Sequence, residues 1–340
     1  MKILRSALCL ASVCVASVAH GQSTLTLYGV MDNGIEFQNG GAGSAVRAVS
    51  SGLFATVYGL RGAEDLGGGT ILNFTLEQGF SGETGAATVA TAAFNRLAWI
   101  GIAGTYGEFR LGRQKKPEYL FLNAQMDPTA VKSFASPINN FQDPTVRANN
   151  AITYFSPTIM GLTAQVMVAM RDSTTKPQNG LELYNGVLRY LNGPFHAVIG
   201  YEQWGSATGT TLQRVFRSGV SYDFGHLRLY AAFESEKLSN HTEDLDIYAL
   251  SASYAFNPAN FLSVLYGYAH DKTGQGNNAQ QLGTIYEYFF SKRTILYAAG
   301  GVIQNRNYAD FTLDGTQYSG IAGAPGGYAK AVILGMTHKF

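Results

Sequence analysis

The sequence predicts an all-β fold, a transmembrane antiparallel β-barrel of 16 strands whose third long loop folds into the lumen. Charged residues make up only 14% of the chain, well below the roughly 25% of a soluble domain. Yet after residue 21 no apolar run approaches the 18 or more residues of a transmembrane helix. Apolar residues instead alternate with polar ones between recurrent turns, as in barrels that span membranes.

The first 21 residues predict a cleaved secretory signal peptide. Lys2 and Arg5 give a basic start, and residues 6–19 are uncharged and mostly apolar. Ala19 and Gly21 place small residues at both recognition positions of a signal peptidase, so we expect cleavage before Gln22. The apolar run is too short for a membrane anchor. Residues 22–340 then form the barrel.

Removal of this segment excludes several kinds of chemistry. Cys9 and Cys14 are the only cysteines, so the mature chain cannot form disulfides or thiolate metal sites. Losing Lys2 and Arg5 reduces Lys+Arg from 24 to 22 against 23 Asp+Glu, a net charge of −1. No basic excess indicates a nucleic-acid partner.

Two-residue alternation predicts the strands. In residues 227–236, one face carries Leu227, Leu229, Ala231 and Phe233, and the other carries Arg228, Tyr230, Glu234 and Glu236. The segments 195–202 and 216–224 follow the same pattern, which is that of strands and not of helices.

Turn residues divide the chain into 16 strands, with seven short turns at one end and eight long loops at the other. That asymmetry is typical of outer-membrane barrels and places both termini in the periplasm. Aromatic residues near the short turns predict an interfacial girdle, although a soluble β-sandwich core was the alternative; they are Phe195, Phe224, Phe256, Phe261, Phe289 and Phe290.

One long loop, residues 115–146, lacks alternation and contains Pro128, Pro137 and Pro144. A stretch of this length without regular structure is usually functional or disordered. Its aromatic residues indicate that it packs against something, so we expect it inside the barrel, where it would narrow the channel.

A series of motifs resembles the Gram-negative general (trimeric) outer-membrane porin family, in its β-proteobacterial form. The motifs occur in the family's order along nearly all of the mature chain. They are Leu27–Asp32, Tyr58–Gly69, Asn95–Gly101, Leu111–Gln114, Arg147–Pro157, Ser291–Thr294 and the terminal His338-Lys339-Phe340.

The resemblance implies a homotrimer in the Gram-negative outer membrane, surrounded by outer-membrane lipids including lipopolysaccharide. Each barrel would be a water-filled channel for passive diffusion of small hydrophilic solutes and ions, without cofactor, metal or enzymatic activity. The family's C-terminal Phe, here Phe340, is read by the barrel-assembly machinery.

The resemblance also implies a pore constriction in which wall arginines oppose acids of the third loop. Carried over by position, the arginines are Arg61, Arg96 and Arg147, with Arg113 a further candidate, and the acids are Asp127 and then Glu118. A solvated strand end or interfacial position was the alternative for each arginine. We expect Leu97 and Trp99 to face lipid, which turns Arg96 towards Asp127 or Glu118.

The chain departs from the family at Val57, where relatives often carry another arginine. The strength and sign of the ion selectivity therefore do not follow from the resemblance.

Other functions have weaker support. No Gly-Lys-Ser/Thr follows the glycines at 67–69, the histidines lack metal-ligand spacing, and no Gly-x-Ser-x-Gly motif occurs. The alternatives were a barrel enzyme with a Ser/His pair on its rim, a secreted β-rich binding protein soluble without detergent, and loops with an adhesive role. Conductance measurements would separate the last from a channel.

The signal-peptide prediction has a direct test. N-terminal sequencing of protein purified from outer membranes should give Gln22 as the first residue. A chain that retains Lys2 and Arg5 would contradict the predicted processing.

Overall fold

The computed structural model describes residues 23–119, 123–142, 146–171, 180–205 and 211–340, which form one antiparallel sheet. The predicted signal peptide, residues 1–21, lies outside the described residues. The strand segments are β1 Thr24–Asn39, β2 Ser44–Ser50, β3 Val57–Gly67, β4 Thr70–Gly79, β5 Leu97–Gly104, β6 Gly107–Lys115, β7 Arg147–Phe155, β8 Leu162–Met170, β9 Leu181–Asn192, β10 Phe195–Gly205, β11 Leu212–Asp223, β12 Leu227–Leu238, β13 Asp244–Asn257, β14 Asn260–Asp271, β15 Ala279–Phe289, β16 Thr294–Asn305 and β17 Tyr328–Lys339.

These segments form a closed barrel of 16 strands, as predicted. β2 and β3 are two parts of one wall strand, because β2 pairs with residues 33–39 of β1 and β3 pairs with residues 24–30. The barrel closes where β1 pairs with β17, from Val30↔Lys339 to Asn39↔Lys330. None of the helices among the described residues has the length and apolar character needed to cross a bilayer.

The two faces of the wall differ as the alternation predicted. On β12, Leu229 lies on the outer face and is 43% exposed, whereas Glu234 lies on the inner face and is fully buried. Of the aromatic residues near the short turns, Phe195, Phe224, Phe256 and Phe290 are exposed on the outside. Their positions fit the predicted girdle. Phe261 and Phe289 lie on the inner face instead, where their rings pack edge-on at 5.4 Å between centroids, so the girdle prediction was wrong for these two.

The connections differ in length between the two ends, with one correction. The short turns lie at one end, and we number the connections at the opposite end as loops 1 to 8 in chain order. Loop 1 (residues 40–43) and loop 6 (residues 239–243) are as short as the turns, so the expectation of eight long loops was wrong for these two.

The described part of loop 3 (residues 116–146) lies inside the barrel against the inner face of β10 to β16. It includes the short helices α1 Asn123–Met126 and α2 Pro137–Phe141. Phe134 is fully buried, and its carbonyl accepts a hydrogen bond from Gln281 Nε2 on β15, at 2.8 Å. Loop 3 approaches the wall closely at Gly283, because a Cβ atom there would collide with the backbone of Ala135.

The interruption between β2 and β3, residues 51–56, also enters the lumen. The buried Asp32 carboxylate fixes it by accepting hydrogen bonds from the backbone N–H groups of Gly52 and Phe54, both at 2.9 Å, and from Tyr297 Oη at 2.7 Å. Because the backbone of this segment leaves the ladder, these bonds replace part of the pairing that the wall would have provided.

The seat of loop 3 can be tested by adding one methyl group. Gly283→Ala should lower the free energy of unfolding by about 1–3 kcal/mol, the usual cost of overpacking a well-filled interior. The comparison is heat or urea unfolding of the detergent-solubilised barrel. Gly186→Ala is the matched control, because its Cβ would have no neighbour closer than 4.0 Å. Equal stabilities of the two variants would contradict the described seat.

Candidate functional site

The candidate site lies in the lumen where the wall strands β4 to β7 face loop 3. Arg96 ends loop 2 (residues 80–96), one residue before β5. Its side chain is buried, and Nε donates to Glu77 Oε1 on β4 at 2.8 Å. The backbone N–H of Arg96 also donates to the Glu77 carbonyl at 3.1 Å. Glu77 therefore fixes both the backbone and the guanidinium of Arg96.

Two further arginines join Arg96. Arg113 on β6 donates from Nε to the carbonyl of Asn95 at 2.7 Å and from Nη1 to the side chain of Asn149. Arg147 begins β7, and its Nε finds no hydrogen-bond partner among the described residues. Arg96 interacts electrostatically with both Arg113 and Arg147. We call Arg96, Arg113 and Arg147 the arginine cluster.

The arginine cluster lines one side of a water-accessible cavity of about 480 Å³. Loop 3 contributes Tyr119 and Asn139 to the opposite side, and residues 314–319 of loop 8 complete it. Lys115, the last residue of β6, interacts electrostatically with Glu77, Arg96 and Arg147. Here the wall presents several cations and one paired carboxylate.

Loop 8 (residues 306–327) was not expected inside the barrel. Leu313 is fully buried, Asn139 Nδ2 of loop 3 donates to the Asp314 carbonyl at 2.8 Å, and Phe311 packs edge-on against Phe141 at 5.0 Å between ring centroids. The sequence of loop 8 is polar and has no periodic pattern that predicts this packing. The inward position of the loop depends on its contacts with loop 3.

Arg61 does not line this cavity among the described residues. It lies on the inner face of β3, with its guanidinium 5.5 Å from the ring centroid of Tyr28. Tyr28 Oη in turn donates to Glu77 Oε2 at 3.0 Å. Arg61 is thus connected to the arginine cluster only through Tyr28 and Glu77.

Glu118 does not face Arg96, contrary to our expectation. Its Oε1 accepts from Arg217 Nη1 of β11 at 3.0 Å and lies 3.8 Å from Lys116 Nζ. These residues belong to a buried ionic cluster that fixes the start of loop 3 to the wall; it comprises Lys116, Glu118, Glu202, Arg217, Glu234 and Glu236. Glu118 is therefore paired with Arg217 on β11 and does not contact Arg96.

Asp127, which we also expected to face Arg96, is bonded within its own loop. Asp127 is 1% exposed, and its carboxylate accepts from Thr129 N and Thr129 Oγ1 at 2.7 Å, from Val131 N at 3.2 Å and from Ser136 Oγ at 2.5 Å. Burial raises the pKa of this carboxyl by more than these hydrogen bonds lower it. An Asp two residues before Thr commonly caps its own turn, and this local signal could have assigned the role.

The expected lipid-facing positions of Leu97 and Trp99 are wrong as well. Trp99 pairs with Thr75 across β4 and β5, on the inner face, and its ring lies 4.1 Å from the Arg110 guanidinium. Alternation counted from Arg96 failed because Arg96 precedes the strand. Arg110 also stacks on Phe155 and forms an ion pair with Glu108 at 2.8 Å, which accounts for aromatic rings in the lumen.

Comparison with known proteins adds a second kind of evidence. A family model described as Gram-negative porin matches residues 6–308. The chain is 29% identical, over 99% of its own length and 99% of the relative, to "Outer membrane porin protein 32" of Delftia acidovorans.

Two solved structures share the fold. The structure titled "Anion-selective porin from Comamonas acidovorans" matches with a TM-score of 0.81 and 27% identity, over 94% of this chain and 100% of that one. The trimer form of OmpT from Vibrio cholerae matches with a TM-score of 0.73 over 94% of this chain and 99% of that one. Its 13% identity supports a shared fold alone.

Proposed function

This chain belongs to the Gram-negative porin family, and from that premise we propose that it is an anion-preferring diffusion channel for small hydrophilic solutes and ions. The observation that carries the proposal is the arginine cluster, which faces the lumen cavity, while Glu118 and Asp127 of loop 3 are bonded elsewhere. Water fills the lumen, so these charges are tolerated there, whereas on the lipid face each would cost about 2–4 kcal/mol at midplane.

The electrostatics of the cavity favour anions. Glu77 neutralises one of the three guanidinium groups, and Asp314 of loop 8 places one carboxylate at the cavity, so the balance of these groups is one positive charge. At about 4 Å and an effective dielectric constant near 20, one charge contributes about 4 kcal/mol to the energy of a passing ion. A ring of like charges in a narrow passage biases which ions cross. The solved relative whose title calls it anion-selective supports the same sign.

Val57 and Arg61 fit the proposal with smaller roles. Val57 is buried at the start of β3 and shares the inner face with Arg61. The arginine cluster forms without a guanidinium at position 57. We therefore assign the selectivity to Arg96, Arg113 and Arg147 and place Arg61 below them, as a secondary charge on the path.

The barrel also supports proposals on assembly. Its outer face is apolar, which suits outer-membrane lipids including lipopolysaccharide, and we propose that three barrels associate into a homotrimer. Phe340 lies at the outer face, and its backbone exchanges hydrogen bonds with Gly29 of β1 at 3.1 Å. We assign this C-terminal residue to recognition by the barrel-assembly machinery. No reaction is assigned to the chain, whose relatives are porins.

Arg96 provides the sharpest test of selectivity. Arg96→Ala should shift the reversal potential in a salt gradient towards cations, because it removes one cation and exposes the Glu77 carboxylate. The measurement is single-channel recording in planar bilayers at low salt, since high salt screens the effect. Arg96→Ala combined with Glu77→Gln should recover part of the shift.

Arg214→Ala is the matched control for this experiment. Arg214 is exposed on the outer side of β11 and contacts Gln203 at 3.2 Å, so the same charge is removed away from the lumen. We expect no shift from this variant. An unchanged reversal potential in Arg96→Ala would remove Arg96 from the selectivity site.

A second test concerns assembly. Deletion of Phe340 should reduce the yield of heat-resistant trimer in outer-membrane extracts several-fold, as seen on unheated gels. Substitution of the preceding outer-face residue, His338→Ala, is the control because it keeps the terminal ring. Wild-type trimer yield after the deletion would contradict both the role of Phe340 and its packing against β1.

A further inference from the structure

Two lysines converge on one aromatic ring below the arginine cluster. Phe54 belongs to the inward segment of residues 51–56. Lys132 Nζ of loop 3 lies 5.5 Å from its ring centroid, and Lys339 Nζ of β17 lies 4.2 Å from it. We call Lys132 and Lys339 the lysine pair. The side chains come from three separate parts of the chain, and all lie on the inner side of the wall.

The charges of the lysine pair are not neutralised locally. Among the described residues, no carboxylate lies within the 4 Å of an ion pair from either ammonium group. The acids that interact with them at longer range are Asp127, which its own loop holds, and Glu287 on β15. The pair therefore contributes positive potential to the lumen.

Among the described residues, the Lys132 ammonium makes no ion pair that holds loop 3, and its contact there is the ring of Phe54. The fold uses its backbone instead, because its N–H donates to Thr129 Oγ1 and its carbonyl accepts from Thr316 Oγ1 of loop 8. Lys132 and Lys339 repel each other electrostatically. An anion that contacts both ammonium groups would reduce that repulsion.

Lys132 also connects the lysine pair to the arginine cluster. It interacts electrostatically with Lys339 on one side and with Arg96 on the other. Both lysines keep part of their surface accessible, and inside the barrel that surface faces lumen water. An anion that leaves the arginine cluster towards the short-turn end thus meets a second positive region.

We propose that the lysine pair is a second anion site on the permeation path, selective for small divalent oxyanions such as inorganic phosphate over chloride. The proposal rests on the function proposed above. Two ammonium groups on separate elements match two negative charges on one ion, whereas chloride can neutralise only one of them. The ring of Phe54 holds both groups by cation–π contacts and leaves their remaining donors for the oxyanion.

The test measures the block of chloride current by inorganic phosphate in planar bilayers at low salt. We expect phosphate to reduce the wild-type chloride current, and Lys132→Gln and Lys339→Gln each to raise the half-blocking concentration at least threefold. Lys132→Arg should retain the block. Lys330→Gln is the control, because Lys330 lies on the outer face of the same strand as Lys339.

The pH dependence gives a second readout. Burial, with Lys339 nearby, lowers the pKa of Lys132, so its charge is present at lower pH and is lost below the usual lysine value near 10.4. The wild-type block should therefore weaken as the pH rises towards the usual lysine value. It should persist in Lys132→Arg, since a guanidinium stays charged throughout this range.

The outcomes separate this proposal from the previous one. If Arg96→Ala shifts selectivity while neither lysine variant changes the phosphate block, the lysine pair is not an anion site and the channel function stands. A wild-type protein without ion conductance would overturn the channel function itself. If the block is lost equally in Lys330→Gln, the block depends on the total charge of the protein, and the assignment to the lysine pair fails.

Discussion

The structure depends on one requirement of the bilayer: no backbone N–H or carbonyl group can face lipid without a hydrogen-bond partner. The closed ladder from β1 to β17 meets it, and the antiparallel pairing of Val30–Asn39 with Lys330–Lys339 removes the last free edge. Because the ladder uses the backbone, side chains are free to divide between lipid and water. Every polar function of the molecule is then confined to the inner face.

Charges on that inner face are divided between holding the loop and facing the solute. Glu118 pairs with Arg217 and Asp127 closes its own turn, so both acids stabilise loop 3. Arg113 and Arg147 have no carboxylate within ion-pair distance among the described residues, and only Arg96 is paired, through Glu77. Because Glu118 and Asp127 are used as structural partners, neither neutralises Arg113 or Arg147.

Much of the fold follows from local patterns in the sequence, but the site does so only in part. Alternation correctly placed Leu229 outside and Glu234 inside, because strand periodicity depends on neighbouring residues alone. The partner of Glu118 is Arg217, 99 positions away, and no local pattern encodes that contact. The prediction that the apolar Trp99 faces lipid was wrong because its ring has a cation–π partner, Arg110, in the lumen.

Because part of loop 8 packs on loop 3, the two parts of loop 8 differ in how freely their sequences can change. Residues 311–319 reach Asn139 and Asn140 and form part of the passage, so insertions there would change permeation. Tyr308, in contrast, is 78% exposed at the surface. A bacterium under pressure from antibodies or phages could therefore vary the outer part of loop 8 at little cost to uptake, whereas its inner part would drift slowly.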